Sequence, residues 1–191
     1  MAAVLGLDAA DVASLCAEAA GGEVLAPANL NGGGQVVVSG HVGAVERLVA
    51  LVAARKGKAR RLPVSAPFHC ALMAPAAEGL AAHLAGVTLH DPATPVWTSV
   101  EARPVRDAAD VRALLVRQLT APVRWEETVR ALPDATLAVE VGPGKVLTGL
   151  FRRIRPGTVA VTFGGPDELA AVHAALAGET PAAAASGGDA A

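Results

Sequence analysis

A general base must hold a site that is free to take a proton near neutral pH, and His69 is the residue best suited to that work. It lies in Leu62-Pro63-Val64-Ser65-Ala66-Pro67-Phe68-His69-Cys70-Ala71-Leu72-Met73. The segment predicts the end of a strand, a proline-stiffened turn and a helix starting close to His69. A helix N-terminus disfavours imidazolium, so the ring is expected to be neutral and able to accept a proton. The alternative is a histidine that caps the helix or satisfies a loop. Cys70 beside it is either a nucleophile or a small buried residue. Nothing basic besides His69 is close in the sequence, which favours the buried reading.

Gln118 is the second candidate. It follows Leu114 by four residues and Val111 by seven, on the apolar stripe of an expected helix. A polar group there needs a partner. A carbonyl acceptor at that point could hold an imidazole N–H and orient a histidine; the alternative is a helix-end glutamine reaching water. None of the five serines (Ser14, Ser39, Ser65, Ser99, Ser186) sits in a Gly-x-Ser-x-Gly elbow. Val139-Glu140-Val141-Gly142-Pro143-Gly144-Lys145 is either a strand-to-helix corner or an anion site at a helix N-terminus. The dense basic run Arg55-Lys56-Gly57-Lys58-Ala59-Arg60-Arg61 either docks an acidic partner or is a solvated turn.

The elements that must position these residues follow from apolar periodicity. Residues 2–7 predict a strand, and Asp8 caps a helix over 9–20 ended by Gly21-Gly22. Residues 23–28 predict a second strand, Asn29 to Gly34 a turn, and Gln35 to Ser39 a third strand rich in valine. A helix over 42–54 and a strand over 60–64 complete the order β-α-β-β-α-β, that of the ferredoxin-like fold. Beyond it, helices are expected over 70–84, 107–119, 125–132, 145–154 and 166–177, and strands over 95–100, 136–141 and 158–162. That alternation predicts an α/β sheet. The Ala/Gly/Ser-rich end, 179–191, is expected to be disordered.

The chain of 191 residues is long enough to bury a core without disulfides or metals. Its 52% hydrophobic content overstates that core, because 44 residues are alanine, which buries little surface. Lys plus Arg number 16 against 18 Asp plus Glu, a balance that argues against nucleic-acid binding. Aromatic residues are 3% with no tyrosine, which argues against stacking platforms for single strands. Cys16 and Cys70 form no disulfide framework and have no histidine at zinc-site spacing. With no secretory leader pattern and no long apolar run, the expectation is a cytoplasmic protein that does not meet a membrane.

Taken together, five ordered segments resemble the malonyl-CoA:acyl carrier protein transacylase family. They are Met1 to Leu7; Pro27-Ala28-Asn29-Leu30-Asn31 with Gln35 to Gly40; the Pro-Val-Ser-Ala-Pro-Phe-His-Cys-Ala-Leu-Met segment around His69; Val116-Arg117-Gln118-Leu119 leading to Pro122-Val123-Arg124-Trp125; and Glu140 to Leu150. The resemblance implies a ferredoxin-like subdomain over 1–64 and the C-terminal part of an α/β-hydrolase-like acyltransferase domain over 65–178. It implies malonyl transfer from malonyl-CoA to the phosphopantetheine thiol of acyl carrier protein through a serine acyl-enzyme, in fatty acid synthesis. His69 matches the family's base, and Gln118 the glutamine whose main-chain or amide carbonyl orients it, in place of a triad acid. Asn29, Asn31, Arg55, Lys56, Lys58, Arg60 and Arg61 are the expected substrate- or partner-binding residues. No bound cofactor is implied, and the full-length enzyme is expected to be a monomer.

The family's Gly-Gln-Gly loop, serine elbow and carboxylate-binding arginine precede the matching segments. The chain therefore reads as the C-terminal portion of a longer enzyme and is expected to be inactive alone. Two other readings stand beside this one. A non-catalytic module binding carrier protein or acyl-CoA, or completed by a separate N-terminal chain, accounts for the basic run. A plain regulatory domain leaves the ordered motifs unexplained.

Overall fold

A computed structural model describes residues 1–179 of the chain. Two compact units result, one covering Met1–Ala131 and a second beginning at Leu132. The expected disordered tail, apart from Glu179, lies outside the described residues.

The first unit is founded on a four-stranded sheet of β1 (Ala2–Leu5), β2 (Leu25–Gly32), β3 (Gln35–Gly40) and β4 (Lys58–Arg61), in the order β2-β3-β1-β4. All neighbouring pairs are antiparallel. Helices α1 (Ala9–Ala20) and α2 (Val42–Ala54) make the two crossovers. The Asp8 carboxylate accepts from the Asp11 N–H at 2.8 Å, which satisfies one of the free donors at the start of α1. Gly21, at φ 56°, ends the helix in the left-handed region that favours glycine. Val12, Leu15, Cys16 and Ala19 of α1 pack with Val45, Leu48 and Val52 of α2 over Ala2, Val4, Val36 and Val38 of the sheet. Burial in this core pushes the Cys16 thiol up to about 12.

Strand boundaries shift from expectation, most at β2 and β4. Of the turn predicted over Asn29–Gly34 only Gly33-Gly34 is turn, and Asn29–Gly32 extends β2. The extension pairs with β3, Asn29 with Val37, Leu30 with Val36 and Gly32 with Gln35, and the other edge of β2 meets a distant segment: Leu30 N–H donates to Val123 C=O and Val123 N–H to Ala28 C=O, both at 2.8 Å. The last strand runs over 58–61 rather than 60–64, because Arg61 pairs with Ala2 at the end of β1 and Pro63 brings no donor beyond it.

The rest of the first unit comprises a 3₁₀ turn (Ala71–Met73), α3 (Ala74–Ala85), β5 (Val96–Trp97), β6 (Pro104–Val105), α4 (Ala108–Arg117) and α5 (Trp125–Ala131). The strand expected over 95–100 shortens to β5, which pairs antiparallel with the unexpected β6. Val100, Val105 and Leu114 form a small second core.

In the second unit, β7 (Leu137–Val141) and β8 (Val159–Phe163) pair in parallel, joined through α6 (Val146–Ile154) and followed by α7 (Leu169–Leu176). The single α/β sheet expected after residue 64 is thus two separate two-stranded sheets among the described residues.

Candidate active site

His69 stands between β4 and the 3₁₀ turn, with φ at 60°. The left-handed region costs a non-glycine residue about 1–3 kcal/mol, and such strain persists only where the surroundings impose it. Two anchors hold this turn. The buried Cys70 thiol donates to Pro67 C=O at 3.2 Å, and Ser39 Oγ, fully buried on β3, lies 3.6 Å from Cys70 Sγ. Cys70 is therefore a packing residue of the turn, as its surroundings in the sequence favoured.

The half-buried imidazole reaches across to the end of α4, where His69 Nδ1 lies 2.9 Å from the main-chain oxygen of Gln118. A carbonyl oxygen only accepts, so Nδ1 carries the proton and Nε2 is left as the acceptor. Gln118 can offer this oxygen because it caps α4: its own N–H returns to Leu114 C=O at 2.9 Å, while its C=O belongs to the last turn, whose carbonyls lack intrahelical donors. The main chain, not the side-chain amide, makes the contact. Gln118 also borders an apolar cleft of about 200 Å³ formed with Trp97, Val100, Val111 and Leu115.

Sheet register places the other expected residues. Val36 and Val38 point into the helix-covered core, so Val37 and Ser39 face the opposite side. Arg60 pairs with Ala3, Ala3 with Val37, and Val37 with Asn29, which sets all four on that second face, the one Cys70 meets through Ser39. Lys58, opposite Leu5, shares it. Asn31 lies beside the irregularity between Leu30 and Gly32 and has no cross-strand partner. The basic run divides. Arg55 pairs with Glu18 at 2.7 Å and Arg61 with Glu46 at 3.0 Å, both on the helix side. Lys56 occupies a left-handed turn at φ 59°.

The Gly142-Pro143-Gly144 corner belongs to the second unit, where the Glu140 carboxylate accepts from Leu147 N–H at 3.0 Å and Thr148 N–H at 2.7 Å. Burial alone would raise the Glu140 pKa, and the N–H donors of Thr148 and Leu147 more than offset it, leaving the carboxyl below its ordinary value. An internal carboxylate thus occupies these first donors of α6, so the corner reading holds and an external anion finds them taken.

This histidine, held through Nδ1 by a main-chain carbonyl, belongs to a recognisable sequence. The profile described as the acyl transferase domain matches residues 1–158. The chain belongs to the acyl transferase domain family. It is 48% identical over 179 residues to a malonyl CoA-acyl carrier protein transacylase of Salmonella typhimurium, covering 92% of this chain and 57% of that protein. A crystal structure of malonyl-CoA:acyl carrier protein transacylase from Xanthomonas oryzae superposes with a TM-score of 0.86 at 44% identity, covering 90% of this chain and 55% of that one. A malonyl-transacylase in complex with its type II PKS acyl-carrier protein gives a TM-score of 0.86 at 39% identity, over 93% of this chain and 58% of that one. This acyl transferase chain therefore spans somewhat more than half the length of the relatives it matches.

Sequence reasoning did not identify which Gln118 oxygen is used, nor the pairing of the Val123 segment with β2. Pro122 carried a partial signal for the second, since proline holds the preceding Ala121 in extended backbone, one residue short of the paired Val123. The sequence held no signal for the first, because every residue carries the same main-chain carbonyl.

Proposed function

We propose that this chain supplies the base and its orienting carbonyl to an acyl carrier protein S-malonyltransferase. The observation that carries the reading is the 2.9 Å contact between His69 Nδ1 and Gln118 O, which leaves Nε2 free to take a hydroxyl proton. In the proposed reaction, a serine outside these 191 residues gives its proton to His69 Nε2 and attacks the malonyl thioester of malonyl-CoA. The carbon–sulfur bond breaks, and the thiolate leaves with the proton from His69. The phosphopantetheine thiol of acyl carrier protein then repeats the exchange in reverse. The Gln118 carbonyl stabilises the transient imidazolium through Nδ1–H, the part an aspartate plays in a Ser-His-Asp triad.

We further read residues 1–64 as a ferredoxin-like subdomain, supported by the β-α-β-β-α-β order and the β2-β3-β1-β4 sheet, and 65–178 as part of the acyltransferase domain. Lys58 and Arg60 are proposed to meet the acidic carrier protein, since they share the sheet face opposite α1 and α2, whereas Arg55 and Arg61 are held in ion pairs. Asn29 on the same face is proposed to contact substrate or carrier.

The test mixes the chain with the part of the Salmonella relative that it does not match, malonyl-CoA and carrier protein carrying phosphopantetheine, and measures malonyl-carrier product. Transfer should require both pieces, and His69→Ala should lower it by roughly 10³-fold or more. Undiminished transfer by His69→Ala, or malonyl labelling of a serine in this chain alone, would overturn the reading. Lys58→Glu/Arg60→Glu should weaken carrier binding at low salt, and Arg55→Glu/Arg61→Glu should not. The reverse order would point to the helix-side face instead.

A further inference from the structure

Within the reading of His69 as the base, we infer that Glu101 is a positioning residue that holds the end of α4 and so keeps the Gln118 carbonyl on His69. Gln118 contributes through a main-chain atom, so no side-chain chemistry of its own fixes where that oxygen points. Its place is set by how α4 is held along its axis and about it. Two charged groups from the β5–β6 turn do this. Glu101 pairs with Arg117, the last residue of α4 and the neighbour of Gln118. Glu101 also accepts from Arg103 Nε at 2.6 Å, and Arg103 reaches Asp110, in the first turn of α4, at 2.8 Å. One short turn thus grips the helix at both ends.

The turn itself is held against its local preference. Ala102, between the two gripping residues, sits at φ 51°, a conformation that favours glycine. Its N–H donates to Thr98 C=O at 3.0 Å, and Thr98 N–H donates to Arg103 C=O at 3.1 Å, which closes the turn with Glu101 and Arg103 directed at α4. Hydrogen bonds from Arg103 and then Arg117 hold the Glu101 carboxyl below the ordinary range, so it is ionised wherever the site operates.

A lone exposed ion pair contributes little, and Glu101 is the least exposed member here, at 24%. The four charges nevertheless form one network across two helical turns, and the site needs only that a carbonyl stay within a few tenths of an ångström of its place. The effect is therefore expected on the geometry of the site more than on the stability of the fold.

The experiment reads His69 directly in the 191-residue chain labelled with ¹⁵N-histidine. The ring nitrogen shifts report which nitrogen carries the proton. The intact chain should show His69 protonated at Nδ1, with that proton exchanging slowly. Glu101→Ala should raise the exchange rate of that proton about fivefold or more and increase the Nε2–H tautomer, while Glu101→Asp keeps most of the native signal. Circular dichroism and the His41 signals should stay unchanged, which separates positioning from unfolding. Asp110→Asn, which frees only the far end of the helix, should give a smaller change of the same kind. An unaltered His69 signal in Glu101→Ala overturns the inference, as does a change that Glu101→Asp fails to reverse in part. The outcome is independent of malonyl transfer. A lost tautomer preference beside absent transfer in the two-piece assay sinks the proposed function alone, and normal transfer with an unaltered His69 signal in Glu101→Ala sinks the positioning role alone.

Discussion

The β1–β4 sheet and the β7–β8 pair are both rich in valine, yet they are covered very differently. Val36, Val37 and Val38 of β3 are all buried, the first and last beneath α1 and α2 and the middle one on the opposite face. In the second unit Val141 is 76% exposed and Val146, at the start of α6, 70%. A strand that is apolar on both faces suits a parallel sheet covered on both sides. The β7–β8 pair has that composition with two strands only. Apolar strand composition is thus a local property of the chain, and burial is a property of the layers around it. The second unit still buries Leu150, Phe151, Ile154, Ala160 and Val161, so the contrast is in how much of each strand is covered.

Substitutions can break that contrast. The largest effect is expected for Leu48→Ala, which empties a fully buried site between α2 and the sheet and should cost about 2–5 kcal/mol by chemical denaturation. A loss below roughly 1 kcal/mol would mean that the first region is loosely packed after all. Gly40→Ala comes next, since its Cβ would fall 2.1 Å from Val24 O and 2.8 Å from Leu25 Cα, both main-chain atoms. A cost of about 1–3 kcal/mol is expected, with displacement of β2 visible in amide exchange.

The remaining two sharpen the other side. Glu140→Gln should destabilise the second unit by about 1 kcal/mol at neutral pH, by weakening the cap on α6. The folded-state Glu140 pKa is depressed, so its contribution is present above the unfolded value, about 4.3, and is lost as pH falls through the folded one. Melting curves of the intact chain and the variant should therefore converge in acid; a gap that persists well below the unfolded value would reject the capping role. Gly149→Ala has the smallest expected effect and the opposite sign. Gly149 is inside α6, and a Cβ there would meet no neighbouring atom within 4 Å, so alanine should stabilise the helix by up to about 1 kcal/mol. Destabilisation there would show that this face of α6 is covered in solution.

Legibility followed the same division. Helices α1 and α2 occupy 9–20 and 42–54, as their apolar spacing requires, because Asp8, Gly21 and the repeats at Val12, Leu15 and Cys16 or Val45, Leu48 and Val52 are local signals. Asn29-Leu30-Asn31-Gly32 reads as a turn because its residues favour turns, and it becomes strand because β3 pairs with it along one edge while Val123, nearly a hundred residues later, meets the other. Short β6 leaves no signal in the sequence for a related reason, since two residues carry no period.

By itself the sequence determined the order β-α-β-β-α-β of the first elements and pointed to His69 and Gln118 as the candidates for chemistry, because residue type and spacing are written in the chain. Tertiary structure alone decided that a main-chain oxygen of Gln118, 49 residues away, meets His69 Nδ1 and so leaves Nε2 as the ring's other, unengaged nitrogen of the proposed site. It also divided the basic run, turning Lys58 and Arg60 to one sheet face and pairing Arg55 and Arg61 on the other. The physical reason is common to both. A side chain announces its chemistry by its type, but a carbonyl oxygen or the face of a strand gains its role only from what folding places opposite it.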